Sequence, residues 1–273
     1  MGLADPGREL VMTAAEGTAA RFGGDPAIRR EILGTNLDAL TMDQVVARCV
    51  AAVGEERRLT IGVVNAAKIV NMRSDDLLRQ SVVDCDLVLA DGQSVVWASG
   101  LLGHRLPERV AGIDLFTELL AEGERRGHRV YLLGATPEVL ERTVAEIRRR
   151  HPALAVAGSR DGYFTDDESE RVAAEIADSK ADLLFLGITS PKKEIFVKRW
   201  GAATGASVIH GVGGSFDILA GHTRRAPARW QRLGLEWFYR LLQEPMRLGP
   251  RYLKTNARFL LMVAAARLGR RRP

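Results

Sequence analysis

The sequence predicts a doubly wound α/β fold, a mostly parallel sheet with helices on both faces, extended by a C-terminal helical appendage. Three observations carry this. From about residue 30 onward, short and almost wholly apolar runs alternate with amphipathic helical patterns. Each run ends at Gly, Asn or Asp, and apolar strands that do not alternate belong to a parallel sheet covered on both faces. Strand runs then stop after Gly221, and residues 226–268 read as two or three helices rich in Arg, Trp and Leu.

In chain order, residues 1–28 mix Gly, Ala, Pro and charges without a period and read as a flexible extension. Residues 29–230 form the α/β core and 231–273 the appendage. The expected strands are LTIGVVN (59–65), DLVLAD (86–91), RVYLLG (129–134), LAVAGS (154–159), DLLFLG (182–187) and SVIHGV (207–212). Between them, 136–150 is a helix with Thr136 as cap, Pro137 in the first turn and Arg148 to Arg150 in the last. Residues 165–180 begin with a Thr165 cap and an acidic first turn. A βαβα order of this kind builds a doubly wound sheet.

Composition excludes several classes. The chain has 273 residues, 46% hydrophobic and 27% charged, enough to bury a core without staples. Two cysteines, Cys49 and Cys85, rule out a disulfide scaffold and a Cys-rich zinc module. Aromatics at 6% argue against a stacking platform for single-stranded nucleic acid.

The net charge is +5, and it is unevenly placed. Between Arg224 and Pro273 stand thirteen Arg and Lys against two Glu, so the rest of the chain is acidic. That asymmetry points to a phosphate, nucleic-acid or membrane partner at one end, or to a solvated basic tail. No segment reaches the ~20 apolar residues of a membrane span. The N-terminus lacks a secretory pattern. The expectation is a cytoplasmic protein that meets a membrane only from its surface. The stretch FLLMVAAARL (259–268) could face a bilayer, its own core or a second copy of the chain.

Ligands of an open parallel sheet sit at the C-terminal ends of its strands. Five loops qualify. Asn65 can hydrogen-bond a sugar or cap the next helix, and capping is the commoner role. Asp91-Gly92 places a carboxylate at the mouth as a general base, or makes an Asp-Gly turn that caps a helix. Gly134-Ala135-Thr136 opens a helix whose free N–H groups could bind an anion, or is simply well capped. Gly187 with Lys192 and Lys193 looks like a phosphate cradle. Gly213-Gly214-Ser215-Phe216-Asp217 puts glycines where a backbone would approach a nucleotide, although Phe216 breaks the dinucleotide fingerprint.

Three lures are set aside. Asp84-Cys85-Asp86 has the D-x-D form of a metal site but precedes its strand. The five His show no ligand spacing, so no zinc site is expected. Ser190 to Lys193 fits S-x-x-K, but the companion hydrolase motifs do not occur.

Taken together, ADG (90–92), ERVAGIDLF (108–116), LLGATPEV (132–139), DGYF (161–164), DLLFLGITSPKKE (182–194), GVGGSFDILAG (211–221), RRAP (224–227) and GLEWFYRLLQEPMR (234–247) resemble the WecG/TagA/CpsF family of bacterial glycosyltransferases. The resemblance runs in order over about residues 31–255. It implies a Rossmann-like fold and an inverting, metal-independent enzyme of cell-envelope polysaccharide synthesis, with no cofactor. The donor would be a UDP-sugar, typically of N-acetylmannosamine or its uronic acid. The acceptor would be a sugar on undecaprenyl diphosphate. The partners implied are therefore nucleotide sugar, lipid-linked acceptor and an anionic membrane surface on the inner face of the cell membrane. Nucleic acid is not implied, and the oligomeric state stays open.

By the same resemblance, Asp91 is the base that deprotonates the acceptor hydroxyl, and Asn65 contacts sugar or acceptor. Arg109 and Asp114 match R-V-x-G-x-D. Arg240 and Arg247 match the appendage arginines, and Arg251 lies one position from a further one. Guanidinium forks suit a diphosphate. Two departures stand out: Val63 where many members have Thr, and Lys193 where many have Gln. Lys193 would suit an anionic donor sugar. A non-catalytic nucleotide-sugar sensor is the rival class, and the retained Asp91 argues against it.

Overall fold

The computed structural model describes residues 29–269, so the extension expected at 1–28 lies outside the described residues. The described chain opens on a hairpin that the apolar pattern does not reveal, β1 (Arg29–Ile32) and β2 (Thr35–Asp38). Its turn residues Leu33 and Gly34 both have positive φ, 52° and 77°, which suits the twist of a two-residue hairpin. Asp38 is 3% exposed and accepts from the Val88 N–H at 2.7 Å and from Arg29 Nε at 3.1 Å. It thereby fastens the hairpin to the edge of the main sheet. Burial raises its pKa in spite of both donors.

The main sheet has six strands: β3 (Leu59–Val64), β4 (Leu87–Ala90), β5 (Arg129–Gly134), β6 (Ala155–Arg160), β7 (Leu183–Gly187) and β8 (Val208–Gly211). Their order is β4-β3-β8-β7-β5-β6, and every pairing is parallel. Each apolar run read from the sequence coincides with one of these strands, and only β6 extends beyond its run, by Arg160. The crossovers hold α2 (Ala66–Asn71) and α3 (Asp76–Val83), then α4 (Gln93–Leu101) and α5 (Gly112–Arg126). They continue with α6 (Pro137–Arg150), α7 (Ser169–Asp178) and α8 (Lys192–Trp200), after α1 (Met42–Gly54) has entered β3. The fold is the doubly wound, Rossmann-like α/β architecture expected.

One face of the sheet packs on α1, α5 and α6. Its centre is aromatic, with Phe116 edge-on to Phe185 at 4.6 Å between ring centroids and Phe216 beside it at 5.8 Å. Burying each such ring contributes roughly 1.5–3 kcal/mol. The other face is covered in two parts. Helices α2, α3 and α4, with the hairpin, lie over β3 and β4, and α7 and α8 lie over β5 and β7.

Three further helices follow α9 (Ser215–Leu219): α10 (Ala228–Arg232), α11 (Glu236–Gln243) and α12 (Pro245–Gly269). Two close-packed contacts help fasten the appendage to the core. Phe259 and Val263 of α12 join the buried cluster that holds Ile69 and Val70 of α2. Gly234, before α11, has φ 66° and lies so close to α4 that a Cβ there would stand 2.8 Å from Gln93. Only glycine meets both requirements.

Candidate active site

The chain leaving β5 runs through α6 to β6, and the chain leaving its neighbour β7 runs through α8 the opposite way to β8. That divergence opens a crevice above the ends of β5 and β7. Gly134 and Gly187 face each other there in register. A Cβ on Gly134 would stand 2.4 Å from the Gly187 carbonyl carbon, and a Cβ on Gly187 would stand 2.5 Å from the Phe216 ring. Both glycines are therefore required by packing, and Phe216 is fully buried beneath them rather than facing a ligand.

The loops around this crevice are stitched to one another. The Ala135 N–H donates to the Gly187 carbonyl at 3.1 Å, and the Gly162 N–H donates to the Ala135 carbonyl at 3.0 Å. Thr136 caps α6 by accepting from the Val139 N–H at 3.3 Å. Ser215 is buried and donates to the Val212 carbonyl at 2.6 Å. Of the loop after β8, Gly213 and Gly214 are exposed and Asp217 is half-buried. Tyr163, on the loop beside Gly134, is 76% exposed.

The two lysines expected as a phosphate cradle are engaged elsewhere. Lys192 donates to the Gly162 carbonyl at 2.8 Å and to the Phe164 carbonyl, with its ammonium 3.6 Å from the Phe164 ring centre. It staples the 161–164 loop instead of pointing free into the mouth. Lys193 lays its stem across Gly211, where a Cβ would meet its Cδ at 2.9 Å, and its ammonium pairs with Glu194 at 3.1 Å.

The second half of the mouth is formed by the ends of β3 and β4. Asn65 caps α2 through Oδ1, which accepts from the Lys68 N–H at 3.0 Å. Among the described residues its two amide N–H groups make no hydrogen bond, so capping leaves them free to meet a ligand. The neighbouring loop sits directly against it, since a Cβ on Gly92 would stand 3.2 Å from the Asn65 Cβ. Asp91 accepts from the Gly112 N–H through Oδ1 at 2.9 Å. Among the described residues no hydrogen bond is made to its Oδ2, so one oxygen is fixed and the other is available for proton transfer.

Beneath Gly112 lies a residue that motif spacing does not reveal. His210 is fully buried, and its Nε2 lies 3.0 Å from the Gly112 carbonyl. A carbonyl only accepts, so Nε2 carries the hydrogen. Burial pushes the His210 pKa down to about 4, which keeps the ring neutral. His210 thus pins the residue whose N–H holds Asp91.

The appendage meets the mouth through a charge network. Arg109 donates to Glu236 Oε2 at 2.9 Å and to Asp114 Oδ2 at 3.3 Å. Arg225 pairs with Asp114 Oδ1 at 2.6 Å and with Glu236 at 3.7 Å, and Arg240 also reaches Glu236 at 3.7 Å. The side chains of Arg247 and Arg251, on α12, lie outside the described residues.

The Asp84-Cys85-Asp86 lure behaves as expected of a turn. Asp86 accepts from the N–H and hydroxyl of Thr60, both at 2.8 Å, at the N-terminal end of the sheet. Among the described residues no group of three or more His, Cys, Asp and Glu is placed to hold a metal ion.

A parallel sheet with a switch-point crevice, a mouth carboxylate held by a backbone amide and an arginine-bearing appendage frame a site suited to an anionic substrate. Comparison with known families agrees over residues 30–273: the chain belongs to the WecG/TagA/CpsF family of glycosyl transferases. It is therefore a glycosyltransferase of cell-envelope polysaccharide synthesis. No helix among the described residues is long and apolar enough to cross a membrane.

Proposed function

We propose that this enzyme moves a hexose, of the N-acetylmannosamine or uronic acid type, from UDP to a sugar on a polyprenyl diphosphate, with inversion. The observation that carries the reading is the Asp91 carboxylate at the C-terminal edge of the sheet, fixed by Gly112 and adjoining Asn65. Asp91 accepts the proton of the acceptor hydroxyl as that oxygen attacks the anomeric carbon. The bond from that carbon to the β-phosphate oxygen breaks, and UDP leaves. Asn65 orients the sugar through its amide N–H groups. The exposed glycines 213 and 214 let the diphosphate approach the backbone, and Tyr163 offers a face on which the base stacks.

Arg240, with the arginines further along the appendage, would neutralise the departing diphosphate. The outer face of α12 carries Leu253, Leu260, Leu261 and Leu268, all exposed, while Phe259 and Val263 face the core. With Lys254, Arg258 and Arg267 on the same helix, this suits the surface of an anionic bilayer from which a lipid-linked acceptor is presented.

The deciding experiment offers purified protein a set of UDP-sugars with a short-chain lipid-diphosphate sugar, and reads UDP release and product mass. One donor should give a mass gain of a single sugar with inverted anomeric configuration. Release of no UDP from any donor, or a retained configuration, would overturn the reading.

A further inference from the structure

A second cavity of about 260 Å³ lies between the two sets of helices on one sheet face, under α2, α3 and α8. Neither Asp91, Asn65, Gly134 nor Asp217 lines it. We propose that it binds a small anion, a phosphate or carboxylate group held between the ammonium groups of Lys68 and Lys193.

The charge arrangement carries this. Lys68, Lys193, Arg58 and Lys198 line the cavity, against the carboxylates of Glu194, Asp84 and Asp86. Two of those carboxylates are already satisfied. Asp84 pairs with Lys198 at 3.2 Å on the exposed rim, and Asp86 is bound by Thr60. Glu194, its side chain 5% exposed, is shared between Lys193 and the Ser190 hydroxyl through Oε1. Its Oε2 has no hydrogen-bond partner among the described residues. Burial opposes the Glu194 charge, but Lys193 and Ser190 outweigh it and hold the pKa below the ordinary range. Lys193 therefore has its counter-ion.

Lys68 does not. Among the described residues no carboxylate lies within ion-pair distance of its ammonium; burial first and then the nearby Lys193 push its pKa down to about 8, against a weaker opposing pull from Glu194, Cys85 and Asp91. Two ammonium groups drawn together against one carboxylate repel one another, and an anion between them relieves that repulsion. The remaining walls include Ile61, Leu186 and Ile209, whose low polarity strengthens the attraction. An anion bearing a hydroxyl would also donate to Glu194 Oε2. The room is that of on the order of nine liquid-like waters, enough for a phosphate or a small carboxylate with its hydration. Gly211 makes the pocket possible, because any side chain there would displace the Lys193 stem.

The test saturates the protein with UDP, so that any diphosphate site at the mouth is filled, and then titrates inorganic phosphate or malonate by calorimetry. Saturable binding of one anion per chain is expected, weakened at least tenfold in Lys68→Met. In wild-type protein, the same anion should protect Lys68 from acetylation by acetic anhydride, read by peptide mass mapping; this arm needs no variant to fold. UDP-glucuronate and UDP-glucose are then compared as the saturating nucleotide. Loss of phosphate binding with the glucuronate alone identifies the occupant as the donor's carboxylate; retention with both identifies a free anion. Binding only in the absence of UDP, equal affinity in Lys68→Met, or Lys68 acetylation indifferent to phosphate would each overturn the proposal. Because phosphate binding is read without turnover, a protein that fails the donor screen can still pass this test.

Discussion

Arg109, on the loop between α4 and α5, donates to Glu236 of α11 at 2.9 Å, joining positions 127 residues apart. Glu236 also receives Arg225 and Arg240, so a single carboxylate ties the appendage to the mouth. Arg109 and Glu236 are about 15% and 14% exposed as side chains, so the pair is little screened. Glu236→Gln leaves three guanidinium groups, those of Arg109, Arg225 and Arg240, under-compensated. The expected loss is about 1–3 kcal/mol of appendage docking. Limited proteolysis should cut faster between residues 221 and 235, with turnover falling in parallel. Unchanged protease resistance would mean that apolar contacts alone hold the appendage.

Asp91→Asn keeps the shape and the contact to Gly112 on its oxygen but removes the proposed base. Turnover should fall about 10²–10⁴-fold. UDP affinity should stay within a factor of about three, since in the proposed mechanism the side chain meets the acceptor hydroxyl rather than the nucleotide. Turnover close to wild type would transfer the base role to another group.

The sites that end strands were legible from sequence because strand ends are punctuated by Asn, Asp and Gly. Asn65, Asp91, Gly134 and Gly187 all fall where the apolar runs predict. The strand order was not legible, because strands apolar on both faces carry no mark of their neighbours. The first hairpin was missed because RREI and TNLD have hardly any apolar signal, and Asp38 is held by a strand fifty positions away. That Lys192 bonds the carbonyls of Gly162 and Phe164 is not legible, because they lie some thirty residues earlier. His210 carried no motif, since its partner Gly112 is 98 residues away.

Tyr163 stands 76% exposed beside the switch-point glycines, which a core residue would not. Stacking of a base on an aromatic ring is worth about 1–3 kcal/mol. Tyr163→Ala should therefore weaken UDP binding by roughly 5–150-fold, while Tyr163→Phe or Tyr163→Trp should preserve it. Calorimetric titration with UDP separates the outcomes. Equal affinity in Tyr163→Ala would place the base elsewhere.

Replacing Leu253, Leu260, Leu261 and Leu268 together with Ser leaves the buried side of α12, Phe259 and Val263, intact. Flotation with vesicles containing anionic lipid should drop several-fold, and thermal stability should change little because these leucines are already exposed. Equal flotation of the variant would remove α12 from the bilayer contact.

His210 gives stability a specific dependence on pH. Its pKa in the folded protein is about 4, below its ordinary value of 6.5. Above pH 6.5 the ring is neutral in both states and costs nothing. Between pH 6.5 and 4 the unfolded chain takes up a proton that the folded chain refuses, so stability falls with decreasing pH, and below pH 4 the effect levels off. The full loss is roughly 3 kcal/mol. Other groups titrate in the same range, so the informative quantity is the difference between wild type and His210→Gln, which retains a donor for the Gly112 carbonyl. Urea unfolding from pH 7.5 to 4 should show the wild type losing stability faster than the variant, by about this amount. Parallel curves would mean that water reaches His210 in the folded protein. Turnover of the same variant at pH 7.5 should remain within about threefold of wild type, because its amide still pins Gly112 and through it the Asp91 carboxylate, whereas His210→Leu should lower turnover tenfold or more.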